Sequence, residues 1–174
     1  LDALRARRST GGDTPFVVIN PGAAWPNKRW PPDRFGAVAQ WLRRARGLSS
    51  VVTWGPGDET MAAAVVDGSA GAAELAPPTS IADLVAIVRE AALMVSGDTG
   101  PVHLAAAVGT PIVGIYGPTD PARNGPWSAD DVTVSRFAAC GCHHQRRCRV
   151  ARWCLEDISV DDVIAAITRR IGAS

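Results

Sequence analysis

Two stretches of this chain combine residue types that suit an anion. Asn20-Pro21-Gly22-Ala23-Ala24-Trp25-Pro26-Asn27-Lys28-Arg29-Trp30-Pro31 carries the one lysine of the protein, since the other seventeen Lys and Arg positions are all arginine. Where arginine serves as the general cation, a lone lysine marks a place that wants a compact ammonium on a flexible stem instead of a planar fork. The second stretch is Ser96-Gly97-Asp98-Thr99-Gly100-Pro101-Val102-His103. Asp98 or Thr99 suits a helix cap, Gly100 permits close approach to the backbone, and Pro101 fits a first helical turn. Free amides and the positive dipole end at such a helix start suit a phosphate, and His103, one turn in, can add a donor. Without a ligand the same segment is an ordinary capped helix. A lysine facing that helix start would clamp a diphosphate.

Other nucleotide signatures are missing. Lys28 is not preceded by Gly, so there is no G-x-x-x-x-G-K-[ST] phosphate loop. Gly55-Pro56-Gly57 resembles the start of a dinucleotide fingerprint but follows the second strand and lacks the third glycine. Asp58 or Glu59, just beyond it, suits a ribose diol, or equally an acidic first helical turn favoured by the dipole. No Asp-x-Asp occurs, so a metal-bridged diphosphate has no obvious ligands, and protein cations and amides would have to meet its charge. Cys140, Cys142, Cys148 and Cys154, spaced C-x-C-x5-C-x5-C, match the number of ligands of a tetrahedral zinc site but not its paired knuckles. Reduced, packed thiols and a structural zinc are both open readings of the four. Arg146, Arg147, Arg149 and Arg152 beside them form the one dense basic run, either a solvated loop or a contact for anionic lipid head groups or an acidic acceptor.

The elements that must position these loops alternate. Strands are expected at Phe16–Asn20, Ser50–Trp54, Ala73–Leu75, Leu93–Ser96, Pro111–Tyr116 and Val132–Phe137 from short, β-branched, continuously apolar runs. Helices are expected from Pro31-Pro32-Asp33 to Gly47, over Asp58–Asp67, Ser80–Ala92 (Ile81, Leu84, Val85 and Val88 on one face) and Thr99–Val108, with a closing helix over 159–170. Fully apolar strands alternating with helices indicate an α/β fold, a doubly wound parallel sheet covered on both faces. Such sheets bind ligands beyond the carboxyl ends of the strands where strand order reverses, usually beside the first and fourth strands, and both anion-suited loops leave those strands. Trp25 and Trp30 read as packing residues that set where the next helix starts.

With 174 residues, the chain can bury a core without metals or disulfides. Its composition, 47% hydrophobic and 20% charged, excludes a disordered tail or coiled coil. A net charge of +1 gives no reason to expect nucleic acid as a partner. No run approaches the ~20 apolar residues of a membrane span, and Leu1–Arg8 lacks a signal-peptide core, so a cytoplasmic location is expected. Leu1 is not a start methionine and the first dozen residues carry no pattern. Residues 1–14 are therefore expected to be a linker or cut end of a longer chain, and 15–174 the functional domain, including the cysteine-rich loop 138–154.

Three segments together resemble a known family. NPGAAWPNKRWP (20–31), SGDTGPVHLAAAVGTPIVGIYGPTDP (96–121) and CLEDISVDDVIAAI (154–167) are similar to the carboxyl-terminal, donor-binding half of the lipopolysaccharide heptosyltransferases, glycosyltransferase family 9. The resemblance implies one Rossmann-like half of a GT-B enzyme, with an ADP-sugar as donor and no required cofactor. It also implies a glycolipid acceptor and general base held by an amino-terminal domain absent from these residues, and work at the inner face of the inner membrane, with peripheral membrane contact. Lys28 matches the family's phosphate-binding lysine. Asp98, Thr99, Gly100 and His103 match its sugar and diphosphate loop, and Asp58 or Glu59 falls near its ribose-binding acid. Members often carry a hydroxyl residue where this chain has Ala23 and Ala24, so donor contacts at Gly22, Ala23 and Ala24 would come from backbone amides. UDP-sugar epimerases share the two-domain fold but would show a different helix start in place of DTGPVH. A reading of another class is a non-catalytic module in which the cysteines bind metal and the arginines dock a partner.

Overall fold

A computed structural model of the protein describes residues 15–126 and 128–172. The expected linker at 1–14 lies outside the described residues. Six strands, β1 (Phe16–Asn20), β2 (Ser49–Val52), β3 (Ala73–Leu75), β4 (Leu93–Gly97), β5 (Ile112–Tyr116) and β6 (Val132–Ser135), form one parallel sheet in the order β3-β2-β1-β4-β5-β6. The helices are α1 (Pro32–Arg46), α2 (Glu59–Asp67), α3 (Ile81–Glu90), α4 (Gly100–Ala107), α5 (Pro121–Asn124) and α6 (Val160–Ile171). This is the doubly wound, Rossmann-like α/β order, and strand order reverses between β1 and β4.

Every residue of β1, β4 and β5 is buried, because the pleat sends alternate side chains to two cores. Val17, Ile19, Leu93, Val95, Val113 and Ile115 pack with Phe35, Val38 and Leu42 of α1, Val65 of α2 and Val163 and Ile167 of α6. Phe16, Val18, Met94 and Ile112 pack on the other face with Ile87 and Val88 of α3 and Val102 and Ala105 of α4.

Local chemistry sets the helix ends. Pro31 and Pro32 start α1, and Gly47 ends it in the left-handed region (φ 67°). Ser80 with Asp83, and Ser159 with Asp162, form reciprocal capping boxes at α3 and α6. The Ser159 backbone N–H bonded to Asp162, outweighing burial, holds that carboxyl below its ordinary value.

Some boundaries differ from the sequence reading. β2 ends at Val52: the Thr53 N–H still bonds Ile19 O (2.9 Å), but Trp54 leaves the ladder and donates its indole N–H to Ala76 O (2.8 Å). β6 ends at Ser135, and Phe137 begins a 3-10 turn, Phe137–Ala139. Ile81, expected on the apolar face of α3, is 73% exposed in the first turn, ahead of Leu84, Ile87 and Val88, which pack on the sheet, and Val85, expected on the same face, is half-buried outside that cluster. The four-residue α5, capped by Asp120, was not foreseen.

Candidate functional site

The crevice between the ends of β1 and β4 is where the two anion-suited loops meet. Asn20 pairs with Ser96 in register, and Ser96 Oγ donates to Asn20 O (3.1 Å). The Asn20 side chain donates to Gly22 O (3.1 Å) and accepts from Thr53 Oγ1 (3.3 Å), which turns the chain sharply after β1. A 3-10 turn, Pro26–Lys28, then brings Lys28 across to the end of β4. The two segments lie so close that a Cβ on Gly97 would come within 3.0 Å of Lys28 O.

At the centre, Lys28 Nζ donates to Asp98 Oδ2 at 2.6 Å, with both side chains largely withdrawn from solvent (13% and 6% exposed). Thr119 Oγ1 (2.6 Å) and Asn124 Nδ2 (3.2 Å) donate to the same oxygen. Burial alone would raise the Asp98 carboxyl, but these donors and the Lys28 charge together outweigh it and hold the carboxyl below its ordinary value. Tyr116 closes the network, donating from its hydroxyl to Asn124 O (3.0 Å), with its phenol pushed well up by burial and then by the nearby Asp98 and Asp131 charges. Lys28 also faces the Trp25 indole, 4.2 Å from the ring centroid.

The expected site residues fall into three groups. Lys28 and Asp98 meet directly, which the sequence reading missed: it set Lys28 against a phosphate alone and allowed Asp98 as a helix cap. Neither Asp98 nor Thr99 caps α4. Thr99 occupies the cap position with no side-chain hydrogen bond to the helix, and the Asp98 carboxylate is turned to Lys28. Gly100 and His103 lie exposed in the first turn of α4, with no side-chain hydrogen bond or ion pair to them among the described residues. On the other side, Arg29 bonds Ala23 O through Nε (2.8 Å) and Asp58 Oδ1 through its guanidinium (3.1 Å), so Asp58 is brought to the rim. Gly22 is pressed against Asp58, where a Cβ would sit 2.8 Å from the carboxylate carbon. Ala23 is buried, while Ala24 and Glu59 are exposed. Thr119 and Asn124 were not singled out from sequence, although Thr119 lies inside the conspicuous Gly117–Pro121 stretch. Trp30 does pack, buried edge-on against Phe35 (4.8 Å, 86°). Trp25 does not: it is half-exposed and faces cations.

The cysteine-rich loop folds onto this site. The Cys154 thiol contacts Cys140 Sγ (3.2 Å), the Cys142 N–H points to the same sulfur (3.4 Å), and all four cysteines are free. Among the described residues no group of three or more His, Cys, Asp or Glu is arranged to hold a metal ion, so the zinc reading has no preformed cage behind it. Burial and the adjacent Cys142 thiol push Cys148 up to about 11, and burial with Cys140 pushes Cys154 up to about 12. A raised thiol pKa lowers the reactive thiolate fraction at pH 8. Iodoacetamide should therefore label Cys148 on the order of a hundredfold, and Cys154 on the order of a thousandfold, more slowly than a free cysteine, with the difference disappearing in urea. Peptide mass spectrometry of quenched time points reads this directly, and labelling at the free rate in the native protein would contradict the packed arrangement.

The sequence profile described as glycosyltransferase family 9 (heptosyltransferase) matches residues 2–154. A lipopolysaccharide heptosyltransferase 3 of Escherichia coli is 33% identical over 169 residues, 91% of this chain and 48% of that protein. The protein of the same name from strain K12 is 36% identical over 119 residues, 65% of this chain and 34% of its own length. The chain thus spans between about a third and a half of these relatives. Among solved structures, a family 9 glycosyl transferase from Veillonella parvula DSM 2008 superposes with a TM-score of 0.80 at 27% identity, over 97% of this chain and 51% of that one. The E. coli heptosyltransferase WaaC with ADP-2-deoxy-2-fluoro heptose superposes with a TM-score of 0.69 at 25% identity, over 90% of this chain and 44% of that one.

Proposed function

The chain belongs to glycosyltransferase family 9, the heptosyltransferases, and from that premise we propose that it is the donor-binding half of a GT-B enzyme that moves heptose from ADP-heptose to a lipopolysaccharide core or related glycan. The observation that carries the reading is the Lys28–Asp98 pair at the switch-point crevice, directly before the start of α4. In this reading the diphosphate lies between the Lys28 ammonium and the amides at the start of α4. Backbone amides of Gly22, Ala23 and Ala24 line its other side, and Asp58, held by Arg29, takes the ribose hydroxyls. Thr99, Gly100 and His103 border the sugar phosphate. Asp98 gives one oxygen to Lys28, Thr119 and Asn124, and its Oδ1 is assigned to sugar hydroxyls as an acceptor of hydrogen bonds.

Mechanistically this half serves the leaving group. Negative charge grows on the departing nucleoside diphosphate in the transition state, and fixed donors aimed at it lower the barrier where electrostatic catalysis is largest. The protein's own cations and amides meet that charge. The base that deprotonates the acceptor hydroxyl is assigned to the other half of the enzyme, as is the acceptor, a glycolipid, which sets the reaction at the cytoplasmic face of the inner membrane. No helix among the described residues is long and apolar enough to cross a membrane.

A thermal-shift panel of ADP, UDP, GDP and their sugars tests the reading. A ligand present at 100 times its dissociation constant adds about 2.7 kcal/mol of stability, so the ADP series should raise the midpoint by several degrees and the others by less. A clear preference for UDP or GDP would reject the heptosyl donor.

A further inference from the structure

Resting on that donor reading, we propose that Arg146, on the cysteine-rich loop, is a further phosphate-binding residue of the crevice and supplies the net positive charge that its other cations lack. Lys28 is compensated by Asp98 at 2.6 Å and Arg29 by Asp58 at 3.1 Å. Each pair presents a phosphate with a dipole, not a full charge, although the lysine keeps further N–H groups to donate. The start of α4 adds about half a charge. A nucleoside diphosphate brings several negative charges, so these groups alone leave the crevice short of cation.

Arg146 is exposed and makes no ion pair among the described residues. Its guanidinium carbon lies 5.9 Å from the centroid of the Trp25 indole, the same ring that the Lys28 ammonium faces at 4.2 Å. By way of that ring the two cations are within about 10 Å, the screening length at 0.1 M salt. Arg147 and Arg149, also exposed, make no such ring contact among the described residues.

The position of Arg146 is anchored on both sides. Asn27, fully buried and next to Lys28 in sequence, donates from Nδ2 to Gln145 O (2.8 Å) and to Cys148 Sγ (3.3 Å). The His144 N–H bonds Pro118 O (2.8 Å), one residue from Thr119, which holds Asp98. The loop that carries Arg146 is thus tied to both segments that position the central pair. A guanidinium there offers its outer N–H groups to phosphate oxygens in a two-pronged contact.

Calorimetric titration of this chain, of Arg146→Ala, Arg146→Lys and the neighbouring Arg147→Ala, with ADP, UDP, adenosine and inorganic pyrophosphate as probes, tests the assignment. Arg146→Ala should weaken ADP and pyrophosphate about tenfold, with the gap narrowing as salt rises, and leave adenosine unchanged within twofold. Arg147→Ala should stay near wild type, and Arg146→Lys should recover part of the loss. Equal ADP and pyrophosphate affinity in Arg146→Ala and wild type overturns the assignment. If wild type binds pyrophosphate but prefers UDP to ADP, the donor reading fails and the pyrophosphate arm still decides Arg146. Binding of neither ADP nor pyrophosphate overturns both.

Discussion

Replacing Lys28 with methionine should destabilise the unliganded fold by about 2–4 kcal/mol at pH 7, and the deficit should shrink at pH 3. Methionine keeps most of the stem's volume, so the change isolates the ammonium. Removing one partner of a buried ion pair typically costs about 3–5 kcal/mol, because a charge is left desolvated and uncompensated. Asp98 keeps the hydroxyl of Thr119 and the amide of Asn124, which places the expected cost toward the low end. The pH dependence follows from the direction of the Asp98 shift. A carboxyl held low in the folded state contributes stability that is present above its unfolded value, near 4, and is lost as pH falls through the folded value below it. Without Lys28 burial is less opposed, the carboxyl moves up, and protonating it in acid removes the penalty. Urea unfolding of both proteins at pH 7 and pH 3 measures this. The same substitution should weaken ADP by roughly 1.5–3 kcal/mol, the worth of a charge-assisted hydrogen bond, and Lys28→Arg should rescue only part, since a fork does not fit a point-charge site without moving. Unchanged stability and unchanged ADP affinity would make the lone lysine an accident of composition.

The pairing behind that result was not legible in the sequence. Lys28 and Asp98 are separated by seventy residues, and residue type alone sets Lys28 against a phosphate and Asp98 at a helix cap. Opposite charges brought to the same poorly solvated rim find each other first, and only the strand order, with β1 beside β4, says that they share a rim. The sequence supports that order only through the fold class: β1, β4 and β5 are continuous apolar runs, which indicate a parallel sheet covered on both faces, and in doubly wound sheets the reversal usually falls beside the first and fourth strands. Apolarity misled where it marks packing without pairing. Trp54 extends the β2 pattern by eye, yet its indole bonds Ala76 O and packs beside the core while its backbone leaves the ladder. The helix α5 has four residues and no apolar period, so only the Asp120-Pro121 start could signal it, and Asn124 at its end carries no signal at all. Trp25 was read as packing because aromatic rings usually pack. The structure uses its face for cations, a role that depends on two residues 118 positions apart meeting at one ring, as Lys28 and Arg146 do.

The second large effect concerns the fold that holds the site in place. Trp30 ends the Lys28 loop, is 1% exposed, and packs in the core with Leu155 and Ile158, the residues that lead into α6. Trp30→Ala should cost about 3–5 kcal/mol, the usual range for emptying a buried aromatic site, which is a large share of the 5–15 kcal/mol typical of a domain. Two terms could add to the packing loss. The edge-on contact with Phe35 is worth about 0.5–1.5 kcal/mol beyond area. The lost indole donor would ordinarily leave Ile158 O unsatisfied, but Arg34 also donates to that carbonyl, so it keeps a partner and this second term is small. Packing therefore dominates, and Trp30→Phe, which retains most of the ring and loses only the N–H, should cost no more than about 1–2 kcal/mol. Equilibrium urea unfolding of the two variants separates the terms. If phenylalanine proved as damaging as alanine, the hydrogen bond to Ile158 and not the packed ring would be what joins the Lys28 loop to the closing helix.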